Sequence, residues 1–162
     1  MSYRIPRVAA LLACLMTTNV HADYFSPRGP ELETNAVVYV YRPAASNPGK
    51  KPLRTKYPEI MVDGEGSGFL KYNRHFRLEL PAGKHEFVAT GLTESANWKQ
   101  TDRKYILNMK AGQTYYLRLR VEYDTDKMSI GTFRGQYLIF LHAMDPEEAI
   151  YQIRETRDDL ES

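Results

Sequence analysis

Residues 115–123 read YYLRLRVEY. In an extended chain Tyr115, Leu117, Leu119, Val121 and Tyr123 share one face, and Tyr116, Arg118, Arg120 and Glu122 share the other. Period-two alternation in a run rich in aromatic, aliphatic and β-branched residues is the signature of a half-buried strand. The pattern predicts Leu117 and Leu119 as buried aliphatics and puts Tyr116 on the less buried face.

The same grammar extends in both directions. Upstream, Lys110-Ala111-Gly112 is turn chemistry, and Tyr105, Leu107 and Met109 form the preceding strand. Phe76, Leu78 and Leu80 alternate with His75, Arg77 and Glu79. Pro81-Ala82-Gly83 then turns the chain into Lys84–Thr90, with Gly83 expected at positive φ. Val37–Arg42 is apolar on both faces, so it is predicted as a central, two-sided strand, and Pro43 ends it. Ile60–Val62 is a strand, Asp63-Gly64-Glu65-Gly66 a turn, and Gly68–Tyr72 the returning strand. Downstream, Tyr137–Ala143 (YLIFLHA) reads as a buried strand. Asp145 can cap a short helix, with Pro146 at its first position and Glu148 where a capping box places its acid. Ala149, Ile150 and Ile153 give that helix a narrow apolar stripe. The expected fold is an all-β antiparallel β-sandwich of about seven or eight strands with a short C-terminal α-helix.

The first 22 residues read as an address. Arg4 and Arg7 are a basic n-region, Val8–Met16 is an apolar run, and Val20-His21-Ala22 offers a signal-peptidase site. The run is about half the ~20 residues a membrane span requires. The expectation is a cleaved signal (1–22), a flexible leader (23–35), the sandwich domain (36–144), and a C-terminal helix with an acidic tail (145–162). The mature protein is then periplasmic, with no transmembrane segment. The alternative is a lipoprotein anchored at Cys14, since Leu11-Leu12-Ala13-Cys14 is similar to a lipobox. The full chain has 22 Lys and Arg against 20 Asp and Glu. Loss of Arg4 and Arg7 leaves the mature chain neutral, which argues against a nucleic-acid partner. It also leaves no cysteine, so the domain must hold together by core burial.

The punctuated strands Val37–Pro43 (VVYVYRP), Val62–Gly64 (VDG), Leu80–His85 (LPAGKH) and Ala111–Leu119 (AGQTYYLRL) resemble a Gram-negative bacterial envelope family of unknown function. The segment from VDG through LPAGKH also resembles the PEGA-type module, a small β-sandwich. These motifs are turn residues with apolar flanks, so the resemblance implies architecture and an envelope setting. It brings no catalytic residue.

Little in the sequence carries chemistry. His75, His85 and His142 are too scattered for a zinc site, and no cofactor is implied. Asp63-Gly64-Glu65-Gly66 lacks the alternating oxygen ligands and closing Glu of an EF-hand. No nucleophile elbow is present, and the mature chain has no thiol. Two features are left for binding. Lys50, Lys51, Arg54 and Lys56 concentrate positive charge in a proline-rich loop, which is either a solvated connection or a contact for an acidic partner. Trp98, in a polar loop, is either folded back on the sandwich or exposed for binding. The 12 tyrosines mostly fall at alternating strand positions and read as packing residues. The leading expectation is a non-enzymatic module binding an envelope protein or a cell-wall or outer-membrane component. The alternatives are a structural accessory domain docking through its terminal helix, and an enzyme with an unrecognised site. Oligomeric state is not legible.

Overall fold

The computed structural model describes residues 25–44, 58–90, 103–123 and 137–158. They form β1 (Asn35–Arg42), β2 (Glu59–Val62), β3 (Glu65–Phe69), β4 (Arg74–Pro81), β5 (Gly83–Thr90), β6 (Lys104–Met109), β7 (Thr114–Tyr123), β8 (Tyr137–Ala143), α1 (Pro146–Ile153) and β9 (Arg157–Asp158). Two sheets face each other, sheet A in the order β8-β7-β1-β4-β9 and sheet B in the order β3-β2-β5-β6. The all-β sandwich with one terminal helix is the fold. Its ninth strand is only two residues long, too short to leave a pattern in the sequence.

Sheet A is mixed rather than purely antiparallel. β1 runs antiparallel to β4 but parallel to β7, with Val38 opposite Tyr115 and Val40 opposite Leu117. β9 also pairs in parallel, against Arg74 and His75 of β4. Alternation within a strand fixes which face is buried. It carries no information about the neighbour's direction.

The core between the sheets is built from one face of each strand. Val38, Val40, Leu117, Leu119 and Ile139 of sheet A meet Ile60, Phe87, Ala89 and Met109 of sheet B. The opposite face of sheet A has its own cluster of Val37, Tyr39, Tyr41 and Tyr116, covered by Ala149 and Ile153 of α1 and by Phe25. This third layer explains why β1 is apolar on both faces. It also corrects the expectation for Tyr116: its ring is buried and stacks on Tyr39 at 5.8 Å.

The leader is also pinned, where a segment of such composition reads as flexible. Phe25 packs edge-on against Tyr39 at 5.0 Å and His75 at 5.2 Å. The Arg28 amide donates to the Tyr39 hydroxyl at 2.7 Å, and the Glu31 and Leu32 amides donate to the Glu79 carboxylate at 3.0 Å. Side-chain capture of backbone amides needs no hydrophobic period, so nothing in the composition announces it.

Turn chemistry matches the backbone closely. Gly83 has φ of 149°, as its place after Pro81-Ala82 predicts. Asp63 (φ 52°) and Gly64 (φ 91°) make the two-residue turn with positive φ at both positions that suits a tight hairpin. The return strand therefore starts at Glu65, earlier than the glycines suggest.

Helix α1 has the expected cap. The Asp145 side chain accepts from the Glu147 amide at 2.9 Å, and Pro146 opens the helix. Glu148 differs from the capping-box expectation. Its carboxylate accepts from Gln152 Nε2 at 2.9 Å and lies 3.7 Å from Arg118 Nη1, so the side chain turns toward the sheet.

Candidate functional site

Strand directions polarise the sandwich. At one end the chain reverses tightly, through Asp63-Gly64 between β2 and β3, Ala82 between β4 and β5, and 110–113 between β6 and β7. Main-chain bonds from Ala82 to Thr34 and from Gly112 to Asn35 tie these turns to the start of β1. At the other end β1 finishes at Arg42 opposite Arg74, β2 starts at Glu59 opposite Thr90, and β7 finishes opposite the start of β8. The short link 70–73 from β3 to β4 brings the two sheets together at this end. All three long connections, 43–58, 91–103 and 124–136, leave from strand ends on this side. Lys50, Lys51, Arg54, Lys56 and Trp98 belong to two of these connections and lie outside the described residues.

The described rim of this end is cationic. Arg42 is buried and lies 5.5 Å from the centre of the Tyr72 ring. Arg74 Nη1 donates to the Asp158 carbonyl at 2.8 Å. Asn73, at φ 57°, bridges two segments: its Nδ2 donates to the Glu155 carbonyl at 3.1 Å and its Oδ1 accepts from the Ala44 amide at 3.2 Å. Lys71, Arg103 and Arg157 add further positive charge on strand ends or links of this side.

Each histidine of the predicted mature chain is engaged at a separate place. His75 is buried, with Nδ1 2.7 Å from Thr156 Oγ1. The Thr156 hydroxyl donates to the Ile153 carbonyl at 2.7 Å, so its oxygen accepts from His75 Nδ1–H. His85 Nε2 donates to the Pro81 carbonyl at 2.8 Å, and Nδ1 faces Asp63 Oδ2 at 2.7 Å. Burial lowers the His85 pKa, but its bonds to Asp63 and Pro81 outweigh that, so it titrates above its ordinary value. The VDG and LPAGKH motifs are thus joined by an ion pair at the turn end. His142 behaves in the opposite sense. Burial, then the charges of Arg118 and Arg120, push its pKa down against the pull of Glu148. Its Nε2 accepts from Arg118 Nη2 at 3.1 Å.

That last contact belongs to a polar network at the edge of α1. Tyr41 of β1 donates its hydroxyl to Gln152 Oε1 at 2.9 Å, and Arg118 Nη1 donates to the same oxygen at 3.2 Å. Burial raises the Tyr41 pKa, with Glu148 adding to the rise and Arg118 opposing it. A neutral phenol fixed as a donor is a positioning group for the helix. The sequence marks Arg118 only as an outward strand residue. The missing signal is the helix, which folds back over that face and half-buries the guanidinium.

The clearest acid-sensitive element is Glu79. The Glu31 and Leu32 amides and Arg77, with Asn35 adding less, hold its carboxyl down to about 2 from its ordinary value of 4.5. A depressed carboxyl pKa contributes stability that is present above 4.5 and is lost as pH falls toward about 2. Glu79→Gln is therefore expected to flatten the acid limb of a stability–pH profile and to speed hydrogen exchange at the Glu31 and Leu32 amides. An unchanged acid limb would show that Glu79 does not hold the leader.

Among the described residues no helix is long and apolar enough to cross a membrane. No curated protein and no solved structure matches the chain. A family model described as "Protein of unknown function (DUF2846)" matches residues 33–133. That span runs from the foot of β1 past the end of β7, and takes in Tyr41 and Arg118 but not His142, Glu148 or Gln152. With well over half its length matched, the chain belongs to the DUF2846 family of unknown function.

Proposed function

We propose that this is an exported, non-enzymatic envelope protein that binds its partner through the end of the sandwich bearing the long connections. The partner is an envelope protein or a cell-wall or outer-membrane component. One observation carries the reading: all three long connections depart from the same cationic end, while tight turns close the other. A rigid β scaffold with variable-length loops gathered at one end is a recurrent design for recognition. Lys50, Lys51, Arg54, Lys56 and Trp98 are the residues we assign to contact. The envelope setting rests on the signal-like residues 1–22 and the resemblance of the VYVYRP, VDG, LPAGKH and AGQTYY segments. Intact-mass analysis decides between a mature chain beginning at Asp23 and one acylated at Cys14. The PEGA-type likeness of the middle segment adds only architecture.

The alternatives have less support. Docking through the terminal helix is disfavoured because Ala149 and Ile153 are already fully buried against sheet A. An enzymatic role is disfavoured because the three histidines among the described residues are bonded within the fold, at three separate places. The test is pull-down of envelope partners by wild type, by a variant with Lys50, Lys51, Arg54 and Lys56 changed to Ser, and by Trp98→Ala. Both variants are expected to weaken capture, whereas Lys84→Ser and Lys110→Ser at the turn end leave it intact. Equal capture by all of these proteins would place the site elsewhere.

A further inference from the structure

We propose that the turn end of the sandwich is fastened by a proton-operated latch, in which His85 as an imidazolium clamps the tip of the β2–β3 hairpin to the β4–β5 turn and its deprotonation releases that tip. His85 lies near the start of β5 and is half-buried. Its two ring nitrogens face two different segments. Nδ1 lies 2.7 Å from Asp63 Oδ2, and Nε2 lies 2.8 Å from the Pro81 carbonyl oxygen. A carbonyl only accepts, and so does a carboxylate. A neutral imidazole has one N–H and one lone pair, so either tautomer turns a lone pair on one of these two oxygens. The cation alone satisfies both. The two partners therefore select the charged ring.

The clamp reaches the hairpin through one side chain. Asp63 Oδ1 accepts from the Glu86 amide at 2.8 Å, and the Asp63 amide donates to the Glu86 carbonyl at 2.9 Å. Asp63 thus grips β5 while standing at φ 52° in the tight turn. The charged groups at this end are Asp63 and Glu65 from the hairpin, Lys84 and Glu86 beside His85 on β5, and Lys110 from the β6–β7 turn. Lys84 and Glu86 alternate with His85 and project from the other face of the sheet, where Glu86 pairs with Lys104. Glu65 and Lys110 are exposed. From β6 the residue opposite His85 is the apolar Leu107. Asp63 is therefore the charge that acts on the ring. Burial lowers the His85 pKa, and the bonds to Asp63 and Pro81 with the Asp63 charge raise it by more. A raised histidine pKa contributes stability that is fully present below the ordinary 6.5 and is lost as pH rises through the higher folded value. Asp63 sets the acid limit. The Glu86 amide and then His85 hold its carboxyl below 3.8, so its contribution is present above 3.8 and is lost as pH falls through the lower folded value. The latch is closed between these limits and opens on the alkaline side, where His85 loses its proton.

The latch lies at the end opposite the long connections, so it is independent of the partner-binding reading above. Ring-nitrogen NMR of the protein with labelled histidines follows its proton, and amide exchange corrected for the intrinsic effect of pH follows its opening. The His85 midpoint is expected above 6.5, with both ring nitrogens protonated below that midpoint. Asp63→Asn keeps the turn, because Asn tolerates positive φ as Asp does, and removes the charge. It should lower the His85 midpoint and leave those of His75 and His142 unchanged. In wild type, protection of the Glu86 amide should fall about three- to tenfold as pH rises through the His85 midpoint, the worth of one hydrogen bond. Protection of the Leu119 amide in β7 should stay level over the same range. In His85→Gln, which carries no titratable ring, the step at Glu86 should vanish. A His85 midpoint at or below 6.5, a midpoint that Asp63→Asn does not lower, or Glu86 protection that stays level through the His85 titration overturns the proposal.

Discussion

Tyr116→Ala is expected to destabilise the domain as much as Leu117→Ala, by about 2–5 kcal/mol each. Leu117 is fully buried between the sheets, and Tyr116 is 3% exposed beneath the helix and leader. The two side chains are neighbours in sequence and point to opposite faces of β7. A two-layer sandwich with a solvated outer face would lose much at Leu117 and little at Tyr116. In the three-layer arrangement both substitutions leave cavities, and removal of Tyr116 also strips Tyr39 of its stacking partner. Against a typical domain stability of about 5–15 kcal/mol, either loss is large. Denaturant melts of both variants measure this. A Tyr116 cost under about 1 kcal/mol, with Leu117 costly, would show that the outer layer contributes little.

Ile153→Ala should cost about 2–5 kcal/mol, although it lies in a helix of only 8 residues at the end of the described chain. A helix so short has almost no stability of its own, so it exists because Ala149 and Ile153 are buried against β1 and β7. Ile153 is fully buried, and its carbonyl accepts the Thr156 hydroxyl that in turn holds His75. Weakening this contact loosens the Tyr41–Gln152 bond and the entry into β9 together. Tyr151→Ala, at a position 65% exposed, is the control and should fall within about 0.5 kcal/mol of wild type. Loss of helical signal in Ile153→Ala without loss of global stability would mean that α1 is an appendage rather than a layer.

Much of this architecture is written locally in the sequence. The two apolar faces of Val37–Arg42, the alternation of β7, the Asp145-Pro146 helix start and the positive φ of Gly83 each follow from a few neighbouring residues. What escapes a reading of the chain is contact between distant segments. The parallel pairing of β1 with β7 leaves no trace in either pattern. The leader is fixed by residues far along the chain, Glu79 more than 40 positions from Glu31, and Tyr39 and His75 against Phe25. Arg118 reads as a solvated charge until the helix is folded over it, and only then does it meet His142, Gln152 and Glu148. The basic and aromatic candidates, Lys50, Lys51, Arg54, Lys56 and Trp98, stand in segments that strand packing does not explain. They lie outside the described residues, in connections whose flanking strands end on one side of the sandwich.

β1 lies at the centre of sheet A, covered on one face by sheet B and on the other by α1 and Phe25 of the leader. Native-state hydrogen exchange of the protein tests this arrangement. β1 is hydrogen-bonded on both edges, to β4 and β7, and its side chains are buried on both faces. Its amides from Val37 to Tyr41 should therefore exchange only through global unfolding, as the slowest in the protein, while those of the edge strand β8 exchange through smaller openings. Protection in β1 no greater than in β8, or β1 amides released by a local opening of α1 and the leader, would contradict the account.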